Sequence, residues 1–199
     1  MTRIIGGTAG GRRLATPKGD ATRPTSDRVR EALFSAVEAW CGSWAGLRIL
    51  DLYAGSGALG LEAASRGAAA VLLVEKDKRT AELIRRNARD LALPARVEVR
   101  SSTVRAALAA PPDQPYDLVL ADPPYPLASG AVDTDLATLV DQGWLTDDAL
   151  VVVERSSRTA APTWPAGFGD ARRRQYGETT LWSALWAAPE NAPPENAEE

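Results

Sequence analysis

The sequence predicts an α/β fold, a seven-stranded and mostly parallel sheet with helices on both faces and a C-terminal antiparallel hairpin. Three observations predict it. Short apolar runs alternate with segments of helical period, which is the pattern of parallel βαβ units. The first of these runs empties into a glycine-rich turn that opens a helix. Near the C-terminus two further runs flank Gly177-Glu178, as the arms of a hairpin do. With 199 residues and 45% hydrophobic composition, the chain suits one such domain.

Taken in order, the first 25 or so residues are rich in Gly, Arg, Thr and Pro and lack sustained periodicity apart from Ile4-Ile5. They read as a basic N-terminal arm, residues 1–25, with room for a small hairpin. From Ser26 a helix is expected, capped by Ser26 or Asp27. Val29, Leu33, Phe34, Val37 and Trp40 form its apolar stripe, and it ends near Cys41-Gly42. The alternation then runs as strand 47–52, helix 59–65, strand 70–74, helix 79–91, strand 96–99, helix 104–109 and strand 116–121. A helix over 133–140 and a strand over 150–153 continue it, and the hairpin arms are 172–176 and 180–186. The domain spans 26–187. The tail 188–199, rich in Glu and Pro, reads as solvated and disordered.

Composition narrows the chemistry. One cysteine and no histidine exclude a disulfide framework, a Cys/His zinc site and any His-based acid-base mechanism. No metal is expected. No run of 18 apolar residues occurs and the first residues lack a signal-peptide core, so a cytoplasmic chain without a membrane partner is expected. Charge is unevenly spread: residues 1–30 hold seven basic and two acidic side chains, a net of +5, within a chain whose total is −3. The remainder therefore carries −8, and the basic start is a candidate for phosphate contacts. The six tryptophans are scattered and read as packing residues, and Cys41 as a small apolar residue near a helix end.

Three segments carry candidate chemistry. In Asp51-Leu52-Tyr53-Ala54-Gly55-Ser56-Gly57-Ala58-Leu59-Gly60, glycines allow a tight turn and a close ligand approach at a helix N-terminus, although a plain strand-to-helix turn has the same spacing. Glu75 ends the next strand, where an acid accepts hydrogen bonds from ribose hydroxyls, or else belongs to the charged run Glu75-Lys76-Asp77-Lys78-Arg79. Asp122-Pro123-Pro124-Tyr125 follows the fourth strand. It offers a carboxylate, carbonyls on a stiff backbone and an aromatic ring, suited to a planar amine; the alternative is a Pro-Pro turn with an Asp cap.

Together these segments resemble the Rossmann-like class I S-adenosylmethionine-dependent methyltransferases that act on exocyclic amines. Arg3-Ile4-Ile5-Gly6-Gly7, Gly11-Arg12-Arg13-Leu14 and the run from Thr22 to Phe34 are similar to the RsmD family, guanine-N2 methyltransferases of 16S ribosomal RNA. So are Leu59-Gly60-Leu61-Glu62-Ala63, Ser65-Arg66-Gly67-Ala68, Val74-Glu75-Lys76-Asp77 and Tyr176-Gly177-Glu178-Thr179. The resemblance implies that Asp51, Tyr53, Ala54, Gly55, Ser56, Gly57, Glu75, Lys76, Ser102 and Thr103 hold S-adenosylmethionine, with Thr25 and Arg28 closing the pocket. It implies catalysis by Asp122, Pro123, Pro124 and Tyr125, and phosphate contacts by Arg12, Arg13, Arg23 and Arg30. Arg172-Arg173-Arg174 is a second basic patch. The partner implied is 16S ribosomal RNA or the small ribosomal subunit, met by a monomer.

The sequence departs from the family pattern at Gly10, where another Arg is common. It departs again at Ser101-Ser102-Thr103, where an acid often meets the adenine amine, leaving that task to a hydroxyl or a carbonyl. Alternative readings are a DNA adenine-N6 or cytosine-N4 methyltransferase, a Rossmann-type nucleotide-binding oxidoreductase and a non-catalytic RNA-binding protein.

Overall fold

The computed structural model describes residues 2–17, 27–124 and 129–188. Its elements are α1 (Asp27–Cys41), β1 (Arg48–Leu52), α2 (Ala58–Arg66), β2 (Ala70–Glu75), α3 (Lys78–Asp90), β3 (Val97–Ser101), α4 (Val104–Leu108), β4 (Tyr116–Ala121), α5 (Ser129–Asp141), β5 (Leu145–Ser156), β6 (Phe168–Tyr176) and β7 (Thr179–Trp186). The seven strands form one sheet in the order β3-β2-β1-β4-β5-β7-β6. β1 pairs in parallel with β2 and β4, β2 with β3, and β4 with β5, whereas β5-β7 and β7-β6 are antiparallel. The expected fold class is the one observed.

Strand alternation divides the core between the two faces. Ile49, Leu73, Leu118, Leu120 and Val152 enter one apolar layer with Val29, Leu33, Phe34 and Val37 of α1, Leu61 of α2 and Ile84 of α3. Leu50, Leu52, Val74, Val119, Val151 and Val153 enter the other with Val104 and Leu108 of α4 and Val132, Leu136 and Leu139 of α5. The central strands are buried on both faces, which explains why their sequences are continuous apolar runs rather than alternating ones. All six tryptophans pack into or against these layers, as expected for packing residues.

Three element starts differ from the sequence expectation by four residues or more. β5 starts at Leu145, five residues before the apolar run, because its polar first part pairs with Tyr116 across a register shift and only then falls into step at Leu118 and Leu150. β6 starts at Phe168 rather than Arg172, through an irregularity between Gly169 and Arg172. Gly167 makes that entry possible: it has a φ of +93°, and a Cβ there would lie 2.2 Å from the Trp186 ring. α5 begins four residues before Asp133, since Ser129, Gly130 and Ala131 are small and Val132 alone of its first turn is a core residue.

The described part of the basic arm is a hairpin built into the domain. Ile4 N–H donates to the Arg12 carbonyl and Leu14 N–H to the Thr2 carbonyl, both at 2.9 Å, around a short 3-10 turn at Gly7–Ala9. Ile4, Ala9 and Leu14 are buried in the layer that holds α1 to α3. Glu62 of α2 fixes this docking: fully buried, it accepts from the N–H groups of Ile5 (2.6 Å) and Gly6 (2.8 Å) and pairs with Arg66 (2.8 Å). The backbones approach so closely that a Cβ on Gly7 would lie 2.0 Å from the Ser65 carbonyl oxygen. The predicted tail, 188–199, lies outside the described residues apart from Ala188, whose N–H donates to Asp147.

Candidate active site

Register brings the candidate segments to one edge of the sheet. Leu52 stands opposite Val74 on one side and Ala121 on the other, and Glu75 stands opposite Ser101. The turns after β1, β2, β3 and β4 therefore meet at adjacent strand ends, around the β1-β4 boundary where chain order reverses. In open α/β sheets that is where ligands bind.

The turn after β1 is shaped by backbone rather than side chains. Tyr53, Gly55 and Gly57 all have positive φ, at 62°, 54° and 81°. Ala54 N–H donates to the Val74 carbonyl (2.9 Å), which ties the turn to β2, and Gly57 N–H to the Ala54 carbonyl (2.7 Å). Gly57 and Gly60 lie against the core: a Cβ on Gly57 would lie 2.9 Å from Ile84, and one on Gly60 2.8 Å from Leu73. Gly55 faces outward: among the described residues only the Tyr53 carbonyl lies within 4 Å of a would-be Cβ. The cradle is thus tight below and open above.

Asp51 lies beneath it, 1% exposed, and its carboxylate accepts from Gly60 N–H at 2.8 Å. Burial, opposed by that hydrogen bond and reinforced by the charges of Asp122 and Glu75, pushes its carboxyl up to about 8. Its contacts are those of a residue that shapes the turn. Tyr53 points away toward α5, where its hydroxyl donates to the Asp135 carboxylate; burial, then Asp135, hold the phenol above its ordinary value. Burial likewise raises Asp135.

Glu75 occupies the rim. One carboxylate oxygen accepts from Gly55 N–H (2.9 Å) and the other from Asp77 N–H (2.8 Å), so it is aimed across the glycine turn. Lys76 beside it is exposed. After β3, Ser102 N–H donates to the Glu75 carbonyl (3.1 Å), while Thr103 caps α4 by accepting from Ala106 N–H (3.2 Å). Asp122 is half-buried, Pro123 buried and Pro124 exposed. They line a depression with Glu154, Arg155, Ser156 and Thr159. Tyr125, Arg23 and Thr25 lie outside the described residues.

The predicted basic residues divide. Arg12, Arg13 and Arg28 are exposed. Arg12 donates to the Asp90 carbonyl at the C-terminal end of α3, about 20 Å along that helix from the cofactor edge. Arg30 requires correction: it is 1% exposed, and its Nη2 donates to the Arg3 carbonyl and to Asp27, each at 2.7 Å. Such a guanidinium holds the arm against α1 and cannot reach a phosphate outside.

Two residues escaped the sequence reading. Asn87 of α3, 3% exposed, accepts from Ala15 N–H (3.0 Å) and donates to the carbonyls of Ala15 (2.9 Å) and Ser56 (3.2 Å), joining arm to glycine turn. The only available signal was an amide among the polar residues of an amphipathic helix. Glu154, at the depression, directly follows the apolar run Leu150-Val151-Val152-Val153 and reads in sequence as its polar end.

The chain matches the model of a family described as conserved hypothetical protein 95 over residues 2–184. It is 38% identical over 181 residues to the ribosomal RNA small subunit methyltransferase D of Escherichia coli K12, covering 88% of this chain and 85% of that one. To the protein of the same name from Haemophilus influenzae it is 35% identical over 154 residues, covering 76% and 77%. The solved structure of the Escherichia coli protein yhhF superposes with a TM-score of 0.83 at 34% identity, covering 94% of this chain and 99% of that one. An RNA methyltransferase from Salinibacter ruber, solved with S-adenosyl-L-homocysteine, shares the fold at a TM-score of 0.62 and 18% identity, covering 88% and 99%. By its arm, its glycine turn and its Asp-Pro-Pro strand end, and by a match that spans nearly its whole length, the chain belongs to the conserved hypothetical protein 95 family, that of the RsmD proteins.

Proposed function

We propose that this protein transfers a methyl group from S-adenosylmethionine to the exocyclic N2 of a guanine in 16S ribosomal RNA. The observation that carries the reading is the placement of Asp122-Pro123-Pro124 beside the glycine turn, at adjacent ends of β4 and β1, in a chain of the RsmD family. The residues present fit the cofactor. The outward face of Gly55 leaves room for a ligand against the backbone, and Glu75 at the rim offers its carboxylate to a ribose diol. Backbone of residues 53–57, Glu75 and Lys76, and the Ser102-Thr103 backbone beside the adenine are the groups that would hold it. Arg28 and Thr25 would close over it.

When bound, the cofactor supplies an electrophilic methyl on a sulfonium. The protein's task is then to present the amine. The guanine 2-amino lone pair is delocalised into the ring, so acceptors on both of its N–H groups localise that pair on nitrogen. The Asp122 carboxylate and the Pro123 carbonyl would be those acceptors, and the two prolines restrict the loop that would present the amine to the methyl. Tyr125 stacks on the flipped base. The chemistry calls for no histidine.

Exposed Arg12 and Arg13, together with Arg23, hold phosphates of an RNA that extends beyond the catalytic edge, in a salt-dependent way. A monomer working in the cytoplasm on the RNA of the small subunit completes the reading. Tritiated cofactor offered with 16S RNA, small subunits and duplex DNA tests it: label should enter RNA and be recovered as N2-methylguanosine, and label in DNA would refute it. Asp122→Ala should lower the rate by about 100- to 1,000-fold while calorimetry shows little change in cofactor affinity.

A further inference from the structure

β5 outruns β4 at the depression beside Asp122. Leu118 to Ala121 pair with Leu150 to Val153 residue for residue, so the next step along the sheet sets Asp122 beside Glu154. Leu118, Leu120 and Val152 enter the same core layer, and alternation carries Asp122 and Glu154 onto that same side. Neighbouring strands are separated by about 4.8 Å, so both carboxylates lie within reach of one planar ligand. Glu154 is only 8% exposed and lines the depression together with Asp122, Pro123 and Pro124.

We propose that Glu154 is a specificity-determining residue that accepts the N1–H of the target guanine while Asp122 and the Pro123 carbonyl hold its 2-amino group. This inference rests on the guanine-N2 reading above. The chemistry matches edge to edge. Guanine presents consecutive donors at N1 and N2, whereas 2-aminopurine presents the same 2-amino group beside an N1 that can only accept. A carboxylate accepts and does not donate, so carboxylates on neighbouring strands suit an edge bearing consecutive N–H donors. An N1 lone pair turned toward Glu154 would meet an acceptor where guanine offers a donor. The methyl-accepting group is thus recognised together with the ring atom next to it, and the base is selected by a buried acceptor that meets a donor in guanine and a lone pair in the wrong base.

The test uses the full chain and 16S RNA in which the mapped target guanosine is retained or replaced, by splint ligation, with 2-aminopurine. The wild-type protein should methylate guanine at least about tenfold faster than 2-aminopurine. Glu154→Gln should slow methylation of guanine by about 10- to 100-fold and narrow the ratio between the two bases, because an amide N–H can donate to the purine N1. Cofactor affinity by calorimetry should stay within about twofold, since Glu154 stands on the base side of Asp122. Glu154→Asp should keep the preference for guanine at a reduced rate. Equal use of both bases by the wild-type protein would overturn the assignment without any variant, as would an unchanged ratio in a folded Glu154→Gln. Label on neither base would refute the guanine-N2 reading itself, and this assignment with it.

Discussion

At the scale of single residues, the buried carboxyl of Asp51 makes the glycine turn sensitive to pH. Its folded-state value, about 8, lies above the ordinary 3.8. The native state therefore holds this proton more tightly than the unfolded chain does, and the sign follows: its favourable contribution is full below about pH 4 and is lost as pH rises through about 8. Asp51→Asn keeps an acceptor for Gly60 N–H and cannot ionise. The melting temperature of the wild-type protein should fall more steeply between pH 6 and 9 than that of Asp51→Asn, and equal slopes by calorimetry would contradict the buried neutral carboxyl. Gly60 is a second sensitive position. With Leu73 fully buried 2.8 Å from its would-be Cβ, Gly60→Ala should destabilise the fold by about 1–3 kcal/mol in urea unfolding.

At the scale of elements, α2 and α3 connect the arm to the cofactor edge. Glu62 satisfies two backbone N–H groups of the arm and the Arg66 guanidinium from a fully buried position. Glu62→Ala would leave both N–H groups without their acceptor and Arg66 with Glu38 alone, and should lose about 3 kcal/mol, with the arm becoming protease-sensitive before the domain. Asn87 transmits position rather than bulk stability, because its amide spans Ala15 and Ser56. Asn87→Ala should weaken cofactor binding by about tenfold and reduce the effect of RNA on that binding. Calorimetry with and without RNA measures both, and an unaltered response to RNA would show that the arm and the glycine turn act independently.

At the scale of the whole molecule, one sheet order does most of the positioning. β3, β2, β1 and β4 lie side by side, so segments separated by 20 to 30 positions in the chain end at a single edge. Much of this was legible beforehand. The apolar runs of β1, β2 and β4 and the helical stripe of α1 are local patterns, and local patterns report burial and period directly. The first part of β5 and the first turn of α5 were illegible for the same reason in reverse: their residues are mostly polar or small, and they take their structure from neighbours rather than from their own composition.

The sequence by itself determined the fold class, the glycine turn, the acid at the end of β2 and the Asp-Pro-Pro loop, because each is encoded in a few consecutive residues with their own backbone preferences. Only the tertiary structure decided that Arg30 is an interior strut, that the described arm is part of the core, and that Glu154 and Asp122 line one depression. The physical reason is distance along the chain. A polar or charged side chain is solvated or buried according to its partners, and here those partners lie 27 residues away for Arg30 and Arg3, 57 for Glu62 and Ile5, and 72 for Asn87 and Ala15.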